Sequence, residues 1–344
     1  MILAVHGRLG VTMAHMNKRE RVQAALAGKA VDRPPISFWR HFFEKETSAA
    51  GLAEAMLGFQ RAYDWDFMKV NPRACYHAEP WGCRFQFSGQ PHIEPKLVEA
   101  AVKTPDDWRA IKPLSPTAGA FGEQLEALRL IKEGLRGEVP FVETVFTPLS
   151  VAGRLVGSDD AMREHMRHYP DRVHEALEAI AVTFEGFARA CLDVGVDGLF
   201  YATTGWATYD RLSEAEYEAF GRPYDLRVLR AAAGAPFNIL HVCRSHNMLW
   251  ELMDYPAHAV NWATADPTNP RIGEVWRRSR RPVIGGVDHI RTLLTGDADT
   301  VKAEVRSAVE QAREGLMLGP GCSISPQTPE ANLRAARAAV EALA

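Results

Sequence analysis

Short runs of β-branched and aromatic residues recur along the chain, and between them apolar positions return every three to four residues. Strands are predicted over residues 35–39, 67–71, 141–146, 198–201, 238–242, 259–262, 283–287 and 316–318. Helical periodicity covers residues 51–63, 159–194, 214–233, 245–254, 271–278, 299–314 and 329–343. Eight strands alternating with helices predict an α/β fold, a single (β/α)8 TIM barrel over residues 16–344. Two stretches depart from the alternation. Residues 75–93, with spaced aromatics and glycines, are expected as an inserted hairpin, and residues 104–135 as a loop followed by a helix. Asn17 followed three positions later by Glu20 reads as a helix start, which leaves residues 1–15 as a loosely ordered N-terminal extension.

Composition narrows the function classes. Apolar residues make up 47% and charged residues 24%, with a net charge of −3, which argues against both a disordered chain and a basic nucleic-acid binder. No stretch of about eighteen apolar residues marks a membrane span, so a cytoplasmic protein acting on small molecules is expected. The five cysteines, Cys75, Cys83, Cys191, Cys243 and Cys322, read as reduced thiols available for metal or reactive roles.

Barrels of this kind place their chemistry at the C-terminal ends of the strands. In order, those ends carry Arg40 and His41, Asn71 and Arg73, Glu143 and Thr147, Tyr201 and Thr203, His241 and Cys243, Asp266, Asp288 and His289, and Cys322. His241 and Cys243 are two apart on one strand, so both side chains point to the same side, and Cys322 follows the last strand in a Gly-Pro-Gly turn. One imidazole and two thiolates suit zinc and leave a fourth position open. Buried thiols and a core histidine are the plain alternative. Asp266 is expected either as a displaceable fourth ligand or as a turn residue, and Asp288 as a group orienting His241. Glu143 is expected as a mouth carboxylate or an internal ion-pair partner. Arg40, His41, Asn71, Tyr201 and Trp206 are the candidate substrate contacts, the two aromatics being open to a second reading as loop anchors. Cys75, His77 and Cys83 form a further cluster that reads as packing.

Arg19-Glu20-Arg21-Val22, Val31-Asp32-Arg33-Pro34-Pro35, Gly285-Gly286-Val287-Asp288 and the run from Pro320-Gly321-Cys322-Ser323 to Glu330-Ala331-Asn332 together resemble the uroporphyrinogen decarboxylase superfamily from about Met16 onward. Within it, His241-Val242-Cys243 paired with Cys322 is similar to the zinc-dependent methyltransferases that move methyl groups between corrinoid proteins and thiols or other partners. The resemblance implies Zn2+ on His241, Cys243 and Cys322, a corrinoid (cobalamin) as substrate or on a partner protein, a small methyl donor or acceptor, and allows a homodimer. The decarboxylases lack such a triad and carry Arg-Gln-Ala-Gly-Arg after the first strand, where this chain has Trp39-Arg40-His41-Phe42-Phe43. A metal-free carboxy-lyase, with Arg40 and Asp66 facing the cavity, is the alternative.

Overall fold

The computed structural model describes residues 15–312 and 314–343, so the expected extension, apart from His15, lies outside the described residues. Asn17 caps α1 (Lys18–Leu26): its side chain accepts from the Glu20 amide while the Glu20 carboxylate accepts from the Asn17 amide. The chain continues through α2 (Ala49–Tyr63), β1 (Met68–Val70), β2 (Arg84–Gln86), β3 (Lys96–Glu99), α3 (Gly119–Leu135), β4 (Phe141–Phe146), α4 (Pro148–Val156), α5 (Asp159–His168) and α6 (Pro170–Val194). It then runs through β5 (Gly198–Ala202), α7 (Glu214–Phe220), α8 (Arg222–Ala231), β6 (Ile239–Val242), β7 (Ala259–Trp262), α9 (Ile272–Ser279), β8 (Val283–Val287), α10 (Thr292–Thr295), α11 (Ala298–Gln311), β9 (Leu316–Pro320) and α12 (Glu330–Glu341).

Seven strands form one parallel sheet in the order β1-β4-β5-β6-β7-β8-β9, an α/β arrangement consistent with a TIM-like barrel. The strand expected at residues 35–39 is reduced to a bridge. Ile36 pairs with Leu318, the Ser37 amide donates to the Leu318 carbonyl and the Leu318 amide to that of Pro35. On its other side the Asp66 amide donates to the Ile36 carbonyl. Pro34 and Pro35 have no amide hydrogen, which prevents a regular ladder there.

Alternation along the strands separates two cores. Trp39, Phe67, Val142, Phe200, Ile239, Ile284 and Met317 pack together inside the curl of the sheet. Met68, Val145, Leu199, Tyr201, Leu240 and Val260 face outward into the larger cluster shared with the helices.

Several expected helices are shorter than their periodicity. Residues 159–194 split where Pro170 begins α6, and residues 214–233 split at Gly221, ahead of Pro223 near the start of α8. Residues 245–254 form turns rather than a helix. The hairpin is real but displaced, since β2 pairs antiparallel with β3 rather than lying wholly within residues 75–93. No helix among the described residues is long and apolar enough to cross a membrane.

Candidate metal centre

β6 carries His241 at an inward position, and Cys243 follows at the strand's end. β9 runs into Gly319-Pro320-Gly321, and a Cβ on Gly321 would come within 2.6 Å of the Ala263 Cα, so only glycine lets this turn close on its neighbour. The turn delivers Cys322. The ligand atoms of His241, Cys243 and Cys322 all lie within 4.8 Å of one another, with the two Sγ atoms 3.9 Å apart. They are the only such group of metal-ligating side chains among the described residues.

Asn261, inward on β7 and fully buried, fixes the histidine. Its Nδ2 donates to the carbonyls of Ile284 at 2.9 Å and Pro320 at 3.0 Å, so its Oδ1 faces His241 Nδ1 at 2.6 Å. The ring must therefore donate from Nδ1, which leaves the Nε2 lone pair free for a ligand bond. The hydrogen bond from the Cys243 thiol holds Cys322 well below the ordinary thiol range, helped by His241, while the same bond and burial push Cys243 up. A buried imidazole with an enforced tautomer and two thiols this close is a donor set that fits zinc.

A cation sits beneath this group. Lys69, inward on β1 and 4% exposed, donates to Asn71 Oδ1 at 2.8 Å, and its ammonium lies 4.8 Å from the centroid of the Phe200 ring. Phe200 stacks in turn on His241, with centroids 5.0 Å apart. Asn71 donates to Ser323 Oγ at 3.0 Å, beside Cys322. Burial pulls the Lys69 pKa down to about 8, against the opposing pull of Cys322 and Glu143, which leaves an ammonium at neutral pH.

A cavity of about 390 Å³ borders the centre through Arg244, the residue after Cys243, and is lined among others by His41, His77, Phe146, Trp206, Arg154 and Arg211. Arg211 is paired with Asp159, whereas Arg154 and Arg244 make no carboxylate contact among the described residues. Arg244, directly after Cys243, holds a left-handed backbone with φ of 76°. Its loop is tied down by Asn269, which donates to the Arg244 carbonyl at 3.0 Å, and by Ser245, which donates to Asp266 Oδ2 at 2.6 Å.

The remaining sequence candidates lie apart from the triad. Asp266 is outside the ligand cluster: Ser245 and Thr268 donate to it, and these bonds outweigh burial to keep its pKa low, which fits the turn-residue reading. Asp288 does not reach His241, whose partner is Asn261; it accepts from the Ile290 and Arg291 amides and from Arg291 Nε at 2.6 Å. Glu143 faces outward, where burial raises its pKa well above the usual range and Gln124 on α3 donates to it at 3.1 Å. Tyr201 also faces outward and donates to Asp225 at 3.2 Å. Arg40 is held between the Phe42 and Phe59 rings and donates to the Pro326 carbonyl, away from the cavity. His41 and Trp206 do line the cavity, and Asn71 approaches the triad through Ser323. Cys75 and Cys83 are buried thiols outside any ligand cluster among the described residues. Asp66 lies at the opposite, N-terminal end of the sheet, where Arg21, Arg33, Arg337 and the Ile36 amide all donate to it.

Fold and site together define a TIM-like α/β protein with a thiolate-rich candidate metal centre at its strand ends. The chain belongs to the uroporphyrinogen decarboxylase (URO-D) family, whose model matches residues 17–343. It is similar to the methylcobamide:CoM methyltransferase MtbA of Methanosarcina acetivorans, with 25% identity covering 94% of this chain and 97% of that protein. A uroporphyrinogen decarboxylase of Nocardia farcinica is 31% identical over a shorter span, 65% of this chain and 62% of that protein. A solved methyltransferase from Methanosarcina mazei shares the fold, with a TM-score of 0.81 and 21% identity over 95% of this chain and 99% of that one.

Proposed function

We propose that this chain is a zinc-dependent methyltransferase that moves a methyl group between a corrinoid and a thiol, the metal being held by His241, Cys243 and Cys322. The observation that carries the reading is the convergence of those three donors within 4.8 Å, with the imidazole tautomer fixed by Asn261. Likeness along almost the full chain to a methylcobamide:CoM methyltransferase supports it.

Zinc in such a site supplies a lowered thiol pKa, so that an incoming thiol reacts as a thiolate, a strong nucleophile. The protein's part is to orient and to exclude water. Asn261 aims His241, and the Gly321 turn sets Cys322 opposite Cys243. Phe146 and Trp206 give the adjoining cavity apolar walls, and Arg154 and Arg244 favour a molecule with an anionic tail. A corrinoid, as substrate or on a partner protein, would approach from the open mouth. The carboxy-lyase alternative lacks support in the geometry, since Asp66 is enclosed by arginines at the far end of the sheet and Arg40 is bound to the Pro326 carbonyl and does not line the cavity.

Elemental analysis of purified wild type beside Cys243→Ser and Cys322→Ser tests the reading. About one zinc per chain in wild type, lost in both variants, is the expected result. Wild type that takes up no zinc even on reconstitution sinks it.

A further inference from the structure

Lys69 stands out among the polar groups inside the sheet. Lysine is almost never fully buried unless paired, because desolvating an ammonium is costly. Lys69 is 4% exposed, yet it forms no ion pair with any carboxylate among the described residues; it has only the Asn71 amide oxygen and the face of Phe200. Glu143, on the other side of the sheet, pulls on the ammonium but makes no hydrogen bond or ion pair with it among the described residues, and its own burial favours the neutral acid. What remains to balance the ammonium is the cysteine pair and whatever joins it.

A divalent metal with two thiolates and a neutral imidazole sums to zero and leaves Lys69 uncompensated. One anion at the open position makes the centre −1 and balances the +1 beneath it. The contacts link Lys69 to both ligand-bearing strands: Phe200 is shared with His241, and Asn71 reaches Ser323 beside Cys322.

Resting on the zinc reading above, we propose that Lys69 is the fixed counter-cation of the His241-Cys243-Cys322 centre and selects an anion, a thiolate rather than a neutral methyl donor, for its open position. Lys69 is thus a positioning residue that acts through the charge of the site. It favours thiol as the partner that binds at the metal, with the corrinoid as the donor.

The test uses protein loaded with cobalt(II), whose visible spectrum reports ligand exchange without turnover. Wild type, Lys69→Met and Lys69→Arg are titrated with azide, imidazole and 2-mercaptoethanol. In Lys69→Met, azide and thiol affinities are expected to fall at least about tenfold, about 1.4 kcal/mol, with imidazole binding and cobalt content unchanged; Lys69→Arg retains most of the anion affinity. Equal losses for azide and imidazole, or no loss for either, overturn the assignment. Calorimetry on wild type in buffers of different ionisation enthalpy needs no variant, and covers the case in which Lys69→Met fails to fold. Release of one proton per thiol bound is expected. In a pH range where the departing ligand is water, zero means the thiol binds uncharged, and two means Lys69 has surrendered its proton; either result refutes the counter-cation. Wild type that binds cobalt and azide but no thiol sinks the thiol reading, and Lys69 is then judged on azide against imidazole. Wild type that takes up no cobalt sinks both. Thiol binding that is indifferent to Lys69→Met sinks only the role of Lys69.

Discussion

Asn261 makes the sharpest mutational test, because its three hydrogen bonds serve two separable purposes. Its Oδ1 receives His241 Nδ1 at 2.6 Å, while Nδ2 holds the carbonyls of Ile284 and Pro320 at 2.9 and 3.0 Å. Asn261→Leu, close in volume, leaves one buried N–H and two buried carbonyls without these partners. At about 1–3 kcal/mol for each such group, and toward the lower end because carbonyls tolerate a missing partner better than amides do, the loss of stability is about 3 kcal/mol. Losing the ring's outer partner weakens metal binding by about 10- to 100-fold. Asn261→Asp separates these effects. It keeps an acceptor for His241 but sets a carboxylate against two carbonyl oxygens, so its stability falls at least as far while zinc affinity stays within about threefold of wild type. Competition with a chromophoric chelator reads the affinity, and denaturant unfolding of metal-free protein reads the stability. Equal loss of zinc in both variants, or wild-type affinity in Asn261→Leu, would refute the role assigned to this amide.

Asp66→Asn should destabilise the fold by about 3–5 kcal/mol, because it removes the buried charge shared by Arg21, Arg33 and Arg337; zinc per folded chain should stay at the wild-type level, and a loss of metal would place Asp66 at the wrong end of the molecule. Burial pushes the Asp225 carboxyl from 3.8 up to about 7 despite its bonds from Tyr201, Tyr217 and Tyr255. The folded state then holds a proton that the unfolded chain gives up between those values, so this contribution is complete below about pH 4 and lost as pH rises through about 7, a change of about 4 kcal/mol. Unfolding free energy measured against pH should show that decline, and Asp225→Asn should flatten it. A Cβ at Gly153 would lie 2.3 Å from Trp206 Nε1, so Gly153→Val should displace the indole and weaken 2-mercaptoethanol binding several-fold with metal content unchanged. Arg244→Met should weaken 3-mercaptopropionate about tenfold more than 2-mercaptoethanol; equal effects on the two thiols would show that the arginine does not read a charged tail.

How much of this was legible in the sequence depends on which strand face a residue occupies. Spacing raised His241, Cys243 and Cys322 as a candidate group, because two residues on one strand share a side and a Gly-Pro-Gly turn signals a close approach, but buried thiols and a core histidine fitted the same pattern and the family resemblance was needed to favour a metal. Glu143 and Tyr201 were grouped with the mouth because they lie near strand ends, yet both point toward the helices. In a parallel sheet covered on both faces the strands are apolar throughout, so hydrophobicity does not reveal which alternate set is inward. The helix at residues 245–254 failed for a local reason: Arg244 and His246 adopt left-handed backbone, and Asn269 and Thr268 capture the amides and carbonyls of that loop.

The two residues that sequence reasoning missed share one signal. Lys69 interrupts Phe67-Met68 and Val70, and Asn261 interrupts Ala259-Val260 and Trp262, each a polar residue midway along an otherwise apolar strand. Such a residue costs stability unless it is paired, so its presence is information about what lies opposite. Working outward from His241 as an inward residue, ladder register places Asn261 directly beside it, since the two are register partners between β6 and β7. Lys69 follows from Val142, its register partner on β4, which packs with Phe200 in the inner cluster. One fixed inward ligand and the parallel register are enough to assign the faces of neighbouring strands. Of the polar residues that fall on the inner face by that count, Asn261 holds the candidate ligand His241, Asn71 reaches Ser323 beside Cys322, and Lys69 donates to Asn71, whereas Thr144 only bonds the Val70 carbonyl. Asp66, equally polar and equally buried, instead precedes β1 at the opposite end of the sheet, where its three arginines neutralise it without any ligand. Burial alone therefore does not distinguish a working group from a structural one in this fold; the position of its counter-charge does.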